Sequence, residues 1–462
     1  MPVLYMEKAS VEALTEKDIR DIVDENSIGM KYGMLNDYYI GKHKILSENK
    51  RDSTAPNNKL VNNMAKYITD TAVGYFVGQP IIYSSDNIEY LEQIQDVFDY
   101  NDEQDHNMEL AKQCSIAGSC FEMLYMDEDA KVRFTKVRPS ELIMIYETET
   151  GYTTPLAAIR TVISTDKNKN RIRKVEYWNA FQVLRFKSIN GGSLNLESIE
   201  EHYWNDVPFV EYINNEERLG DFEGVITEID AYNKVQSNTA NYFQYNDDAI
   251  LKVLKLGDVS SQDVADMKEK GAILLEDGGD VQWLLKTVDD TALENYKNRI
   301  RHDIHTGANV PNMADDSFAS NNLSGVAVSY KLWGLEQICA IKERKFKRGL
   351  QRRIELITNM LNLFGSHYDY RDIAPKFRRN KPQNILETAQ IITMLTSDLS
   401  RETRLQMLPM VENVQDEISK LEAEDKKGMD DFGNYQNFAQ AFKSLDEPEA
   451  TDGKGDESWQ PV

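Results

Sequence analysis

SGVAVSYKLWGLEQICAIKERKFKRGLQRRIELITNMLNLF, residues 324–364, contains no proline, and Val328, Leu332, Leu335, Ile338, Phe346, Leu350, Ile354, Ile357, Leu361 and Phe364 recur at helical steps. The spacing predicts one very long helix, with Gly334 and Gly349 as places where it could bend. About forty helical residues span roughly 60 Å. A compact globule of this chain length has a radius of gyration of only about 23 Å. One helix would cross the whole body, and elements this long are usually buried against other subunits, so the chain reads as one wedge of a ring.

Upstream lies PNMADDSFASNNLSG, residues 311–325, a polar loop whose main bulky apolar residue is Phe318. Loops this long inside a folded region are usually functional. Pro311 ends a helix that starts near Asp290, where Thr291 and Glu294 have capping-box spacing and Leu293, Tyr296, Ile300 and Ile304 form the inward stripe. Before it comes a small α/β insert, with strands at 249–256, 272–275 and 281–286 and a helix at 261–270. An earlier helix begins at Glu216, with Leu219, Phe222, Val225, Ile226, Ile229 and Tyr232 on one face. Past Gln236 it loses apolar weight, as a face turned to solvent or a lumen would.

The first 55 residues show weak helical patterning at 12–24 and 28–39. A firmer helix follows Pro56, with Asn57 or Asn58 as cap and Gly78 as its end. Helices at 87–100 and 105–117 come next. Alternation then predicts antiparallel strands at 119–127, 131–137, 142–147, 156–164, 171–179 and 181–186, with Pro208 at the far edge. After Pro375 and Pro382 the helical period returns at 384–397 and 401–423, broken near Pro409. From residue 425 the composition predicts disorder. The fold class is α+β.

Acids outnumber bases 77 to 53, a net charge of −24. That opposes a main task of gripping nucleic acid, which needs clustered Lys and Arg, but suits a surface past which DNA slides. Three cysteines with no CxxC pair argue against a disulfide framework or zinc knuckle and for a reducing compartment. No basic leader with an apolar run opens the sequence and no stretch approaches eighteen uninterrupted apolar residues, so a soluble, intracellular chain is expected.

No phosphate loop, zinc helix or nucleophile elbow occurs. Asp127-Glu-Asp129 could open a calcium loop, but Lys131 and Arg138 fall where oxygen ligands are needed, so a strand-to-strand turn is the better reading. His302 and His305 stand one turn apart without ligands to complete a metal site. Lys342, Arg344, Lys345, Lys347, Arg348, Arg352 and Arg353 form a basic run, within which Arg344, Arg348 and Arg352 make a ridge at four-residue spacing. With so many acids in the chain, Arg344, Lys345, Arg348 and Arg352 are assigned to inter-subunit ion pairs ahead of DNA contact or a solvated face. Lys376, Arg378, Arg379 and Lys381 form a shorter basic patch with the same alternatives.

Four passages, NNKLVNNMAKYITDTAVGYFVGQPI (57–81), FVEYINNEERLGDFEGVITEIDAYNKVQSNTAN (209–241), ENYKNRIRHDIHTGANVPNMADDSF (294–318) and SGVAVSYKLWGLEQICAIKERKFKRGLQRRIELI (324–357), together resemble the portal proteins of tailed bacteriophages. The branch is the one common in phages of Gram-positive bacteria. The resemblance implies a twelve-subunit ring at one capsid vertex of the virion, assembled in the host cytoplasm, through which double-stranded DNA is packaged and ejected. It implies a portal-type fold: a β-containing wing over 1–220, channel-lining stem helices at 221–246 and 290–310, and a small α/β clip at 247–289. A tunnel loop would span 311–325, a long kinked wing helix and its return 326–383, a helical crown 384–424 and an acidic tail 425–462. Asn312, Met313, Asp315, Asp316, Ser317, Phe318, Asn321 and Asn322 would then face DNA, and Lys297, Arg301 and His305 would line the stem channel. Implied partners are further copies of the chain, non-specific duplex DNA, terminase, a head–tail adaptor and capsid and scaffold proteins, with no membrane, cofactor or active site. The alternatives are a metal-dependent DNA-processing enzyme, which needs a carboxylate cluster, or another ring component such as an adaptor, usually a much shorter chain.

Overall fold

The computed structural model describes residues 3–25, 28–49, 56–149, 153–247, 250–254, 280–284, 290–314 and 325–380 of one unit, Met1–Asn380, and parts of 385–424 in a second, Lys381–Val462. The expected helix at 261–270, the strand at 272–275, most of the loop (Asp315, Asp316, Ser317, Phe318, Asn321 and Asn322) and the tail lie outside the described residues.

The long helix is present as Gly325–Lys331 and Trp333–Leu363. The helical run is interrupted at Leu332, beside Gly334, and continues unbroken through Gly349. Gly349 serves close approach instead: a Cβ there would stand 2.4 Å from the ring of buried Tyr212. Helix Met64–Val77 starts later than its apolar pattern suggests, and its cap is Asn63, whose side chain accepts from the Lys66 amide at 3.1 Å. Helices Ile88–Tyr100 and Glu103–Ala117 follow. Buried side chains from these helices and the long one, among them Ile68, Phe76, Ile94, Leu110, Phe346, Leu350 and Ile354, form the main core.

In chain order the strands are β1 (Val3–Met6), β2 (Ile82–Ser84), β3 (Ser119–Met126), β4 (Val132–Val137), β5 (Leu142–Glu147), β6 (Pro155–Thr165), β7 (Arg171–Trp178), β8 (Gln182–Ile189), β9 (Asn195–Glu201), β10 (Phe209–Ile213), β11 (Ile250–Leu254), β12 (Asp280–Leu284) and β13 (Ala374–Lys376). The β region is two sheets, ordered β1-β5-β6-β7-β8-β9 and β10-β3-β4. Pro208 is therefore not its edge. β10 follows at once and pairs with β3, with Tyr212 opposite Cys120, while the Pro208 carbonyl accepts from the Leu124 amide. β1 joins β5 in parallel, the exception to an otherwise antiparallel sheet. Cys114, Cys120 and Cys339 are buried free thiols.

In the second unit, Ile385–Met394 and Arg401–Gln406 are helical, the latter capped by Ser400, and so are residues 417–424.

Candidate functional site

Two helices, Ile226–Asp247 and Asp290–Gly307, pack together and are joined through the antiparallel pair β11–β12. The second helix buries Lys297, Ile300 and Ile304, whereas Tyr296 is 51% exposed. The inward stripe thus contains Lys297 in place of Tyr296. A long lysine stem can cover apolar surface while its ammonium reaches outward, here to Glu294 at 2.7 Å. Of the three residues expected to line a channel, Arg301 is exposed, Lys297 is 8% exposed, and His305 is half-buried.

The polar stretch of the first helix has a structural partner. Residues 58–62 run alongside it: the amide of Asn58 donates to Asn241 Oδ1 (2.6 Å), that of Leu60 to Ser237 Oγ (2.9 Å) and that of Asn62 to Asn233 Oδ1 (2.7 Å). Two residues of extended chain advance about 6.7 Å and four of helix about 6 Å, so the ladder stays in register over three rungs. Asn233, Ser237 and Asn241 are buried for this reason and do not form a solvated or lumenal face. Asn233 Nδ2 also donates to His43 Nδ1 at 2.8 Å, while His43 Nε2 lies 2.9 Å from the Tyr38 carbonyl, which sets the Nε2-protonated tautomer. Asn233→Leu strands the Asn62 amide at the buried rung and should lower stability by about 1–3 kcal/mol, read as a denaturant midpoint shift. A shift no larger than that of an exposed substitution would discount the ladder.

Below this pair begins the polar loop. Tyr67 Oη donates to the Pro311 carbonyl (3.0 Å) and accepts from the Met313 amide (2.8 Å), clamping the loop's first residues to helix Met64–Val77. Asn312 Oδ1 accepts from the Ala314 amide at 3.2 Å, and Met313 is exposed. Tyr67 and His305 also meet in a T-shaped arrangement, ring centroids 5.5 Å apart. Burial pushes His305 below the usual histidine range, and Arg301 and His302 add to this. Neutral His305 then donates Nδ1–H to the Val310 carbonyl at 3.0 Å. Clefts of about 490 and 530 Å³ flank this junction, both bordered by Arg301, His305 and Asn312. His302 lies near Thr306, and among the described residues no group of three His, Cys, Asp or Glu is placed to hold a metal. Asp127 is a turn residue, accepting from the amides of Asp129 and Lys131.

The structure divides the basic ridge. Lys345 pairs with Glu216, and Arg352 with Asp206 (2.7 Å) and Glu355 (2.8 Å), all in the same chain. Arg344 and Arg348 are exposed, with no ion-pair partner among the described residues. Lys342 is buried on Asp221. In the second patch, Arg379 turns to the long helix, bridging Glu336 (3.3 Å) and Glu343 (2.7 Å).

Arg353 is 0% exposed. Its Nη2 meets Glu122 Oε1 at 2.8 Å and its Nε donates to Glu122 Oε2 at 2.9 Å, while Nη1 reaches Glu103 Oε1 (3.1 Å) and Asn107 Oδ1 (2.8 Å). The guanidinium lies 4.7 Å from the centroid of Phe134. Burial alone would raise Glu122, but Arg353 and the bond from His106 outweigh it and hold the carboxyl at about 2. For Glu103 burial prevails and the shift is upward, despite Arg353, Tyr83 and Asn107. Glu122 makes the charge-assisted pair through both its oxygens, whereas Glu103 Oε2 has no hydrogen-bond partner. The same guanidinium thus holds two carboxyls that are shifted in opposite directions, Glu122 down and Glu103 up. The 346, 350, 353, 357 spacing could have placed Arg353 on the apolar face. Nothing local marks Glu103 or Glu122.

A family model described as "Phage portal protein, SPP1 Gp6-like" matches residues 24–431. The portal protein of Clostridium phage phiCD119 is 25% identical, covering 86% of this chain and 94% of its own length. The portal protein of Bacillus phage SPP1 is 22% identical, covering 96% and 94%. A chain from a structure described as the neck of an empty GTA particle computed with C6 symmetry aligns over 75% of this chain and 90% of its own. Its identity is 12% and its TM-score 0.46, too low to carry an argument. The match over most of the chain, in the order of elements just described, shows that this protein belongs to the SPP1 Gp6-like family of phage portal proteins.

Proposed function

We propose that this chain is the repeating subunit of a ring at one capsid vertex of a phage virion, through which duplex DNA is packaged and ejected. The observation that carries the reading is the family match over residues 24–431, which contains the paired helices and the loop start clamped by Tyr67. The family is a structural one, and among the described residues no helix is long and apolar enough to cross a membrane.

In this reading 1–220 form the wing, 221–246 and 290–310 the stem, 247–289 the clip, and 311–325 the tunnel loop that meets DNA. Residues 326–383 make the long wing helix and its return, 384–424 the crown and 425–462 the tail. Of Lys297, Arg301 and His305, exposed Arg301 is the one most open to the channel. The clip docks terminase during packaging and a head–tail adaptor afterwards, and capsid and scaffold proteins hold the wing. Twelve copies close the ring.

Native mass spectrometry with negative-stain imaging of the purified protein tests this. A ring of about a dozen copies with a hole as wide as duplex DNA is expected, and a compact closed dimer would overturn the reading. Removing residues 316–322 should leave the ring intact and impair packaging. Normal packaging by that variant would remove the loop from the DNA path.

A further inference from the structure

One face of the long helix is exposed and has no cover among the described residues. Val326, Tyr330, Trp333, Gln337, Ile341, Arg344 and Arg348 recur at steps of three and four and are all exposed, Tyr330 at 76% and Trp333 at 61%. At about 1.5 Å per residue the row runs for roughly 33 Å. It is mainly apolar along its first two thirds and basic at the end, where Arg344 and Arg348 lack ion-pair partners among the described residues. The opposite face, with Leu335, Cys339, Phe346 and Leu350, fills the core. The exposed row is therefore a second stripe that the described residues of one chain leave uncovered. Aromatic residues flanked by arginine are the side chains that anchor protein interfaces.

We propose that this row is a subunit seam, covered in the assembled ring by a second copy of the chain through a different, carboxylate-bearing surface; the proposal rests on the ring reading above. Two rows cannot cover each other well. Parallel, they would set Arg344 and Arg348 against the same arginines, and antiparallel they would set them on Trp333 and Tyr330, a cation–π contact that still leaves both charges without a carboxylate, since the row carries none. The match is therefore heterologous, the kind that closes into rings. The same chain offers the complement: Glu89, Glu92, Asp96 and Asp99 line an exposed face of helix Ile88–Tyr100, beside exposed Ile88, and make no ion pair among the described residues. The net charge of −24 makes such a surface easy to find and a basic one rare. Lys345 and Arg352, already paired within the chain, contribute little to the seam.

The test compares the wild-type chain with Trp333→Ala and with Arg344→Glu/Arg348→Glu, at one concentration, by native mass spectrometry. Both sites are exposed, so circular dichroism melts should be unchanged. The ring fraction should fall on the order of tenfold or more for Trp333→Ala, and for the charge reversal most strongly at low salt. A photo-reactive phenylalanine at position 333 should yield a chain-to-chain product in the ring fraction, mapped to an acidic peptide. Rings that form at wild-type yield in both variants, or a probe that gives no chain-to-chain product within intact rings, overturn the seam. If the wild-type chain makes no ring at all, the assembly reading itself falls, and the seam with it.

Discussion

Arg353→Met is expected to lower folding stability by about 3–5 kcal/mol, because removing one partner leaves buried charge without compensation. Against native stabilities of about 5–15 kcal/mol that is a large fraction of the total. Glu122 loses the bond to Nε and the pairing with Nη2, and Glu103 loses one of three donors to its single satisfied oxygen. Arg353→Met/Glu122→Gln should recover a sizeable part of the loss, since the remaining acid, Glu103, is already shifted toward its neutral form. Denaturant titrations of the wild type, the single and the double variant measure this. A single variant within the range of exposed substitutions would show that the cluster does not hold the long helix in place. The acid limb gives a second check. Glu122 is held at about 2 against an ordinary 4.5, so its stabilisation is present above about pH 4.5 and is lost as pH falls toward 2. Glu103 shifts the other way and partly offsets this slope. Glu122→Gln should therefore flatten the acid limb.

Tyr67→Phe should loosen the start of the loop while sparing the fold. The hydroxyl makes two bonds, to the Pro311 carbonyl and from the Met313 amide, and the ring alone keeps the packing against His305. Losing both amounts to about 1–3 kcal/mol of local anchoring, or roughly ten- to a hundredfold more frequent opening at that point. Hydrogen exchange at the Met313 amide should accelerate by that factor with the melting temperature nearly unchanged. Exchange as slow as in the wild type would mean that the chain on either side, not Tyr67, holds the loop. If the loop meets DNA as proposed, the same variant packages less DNA from rings that assemble normally.

Much of the architecture was legible because it is local. Apolar steps of three and four predicted the long helix and the helices before it, and alternation predicted six strands that the structure contains. What the pattern missed depends on distant partners. Asn63 rather than Asn57 or Asn58 caps its helix, because residues 58–62 are drawn along Ile226–Asp247 in an extended ladder. Ser237 and Asn241 looked like a face for solvent because polar side chains that serve another segment's amides are locally indistinguishable from polar side chains in water. Lys297 and Tyr296 exchanged places for a similar reason: either can supply apolar surface, and the neighbouring helix decides which does.

The basic run of the long helix shows the same division at the level of charge. Composition and spacing alone determined that a proline-free helix of this length would carry a run of seven cations between Lys342 and Arg353, in a chain with a large excess of acid and without a recognisable catalytic signature. Only the tertiary structure decided their roles. Lys342 and Arg353 are neutralised in the interior, Lys345 and Arg352 are paired at the surface, and Arg344 and Arg348 remain open. A helix repeat assigns each residue to a face, but whether a charge on that face is buried or solvated depends on carboxylates more than 100 residues away. For Arg353 they are Glu103 and Glu122, brought into range by helix Glu103–Ala117 and β3, and for Lys342, Lys345 and Arg352 they are Asp221, Glu216 and Asp206, on the segments that flank β10.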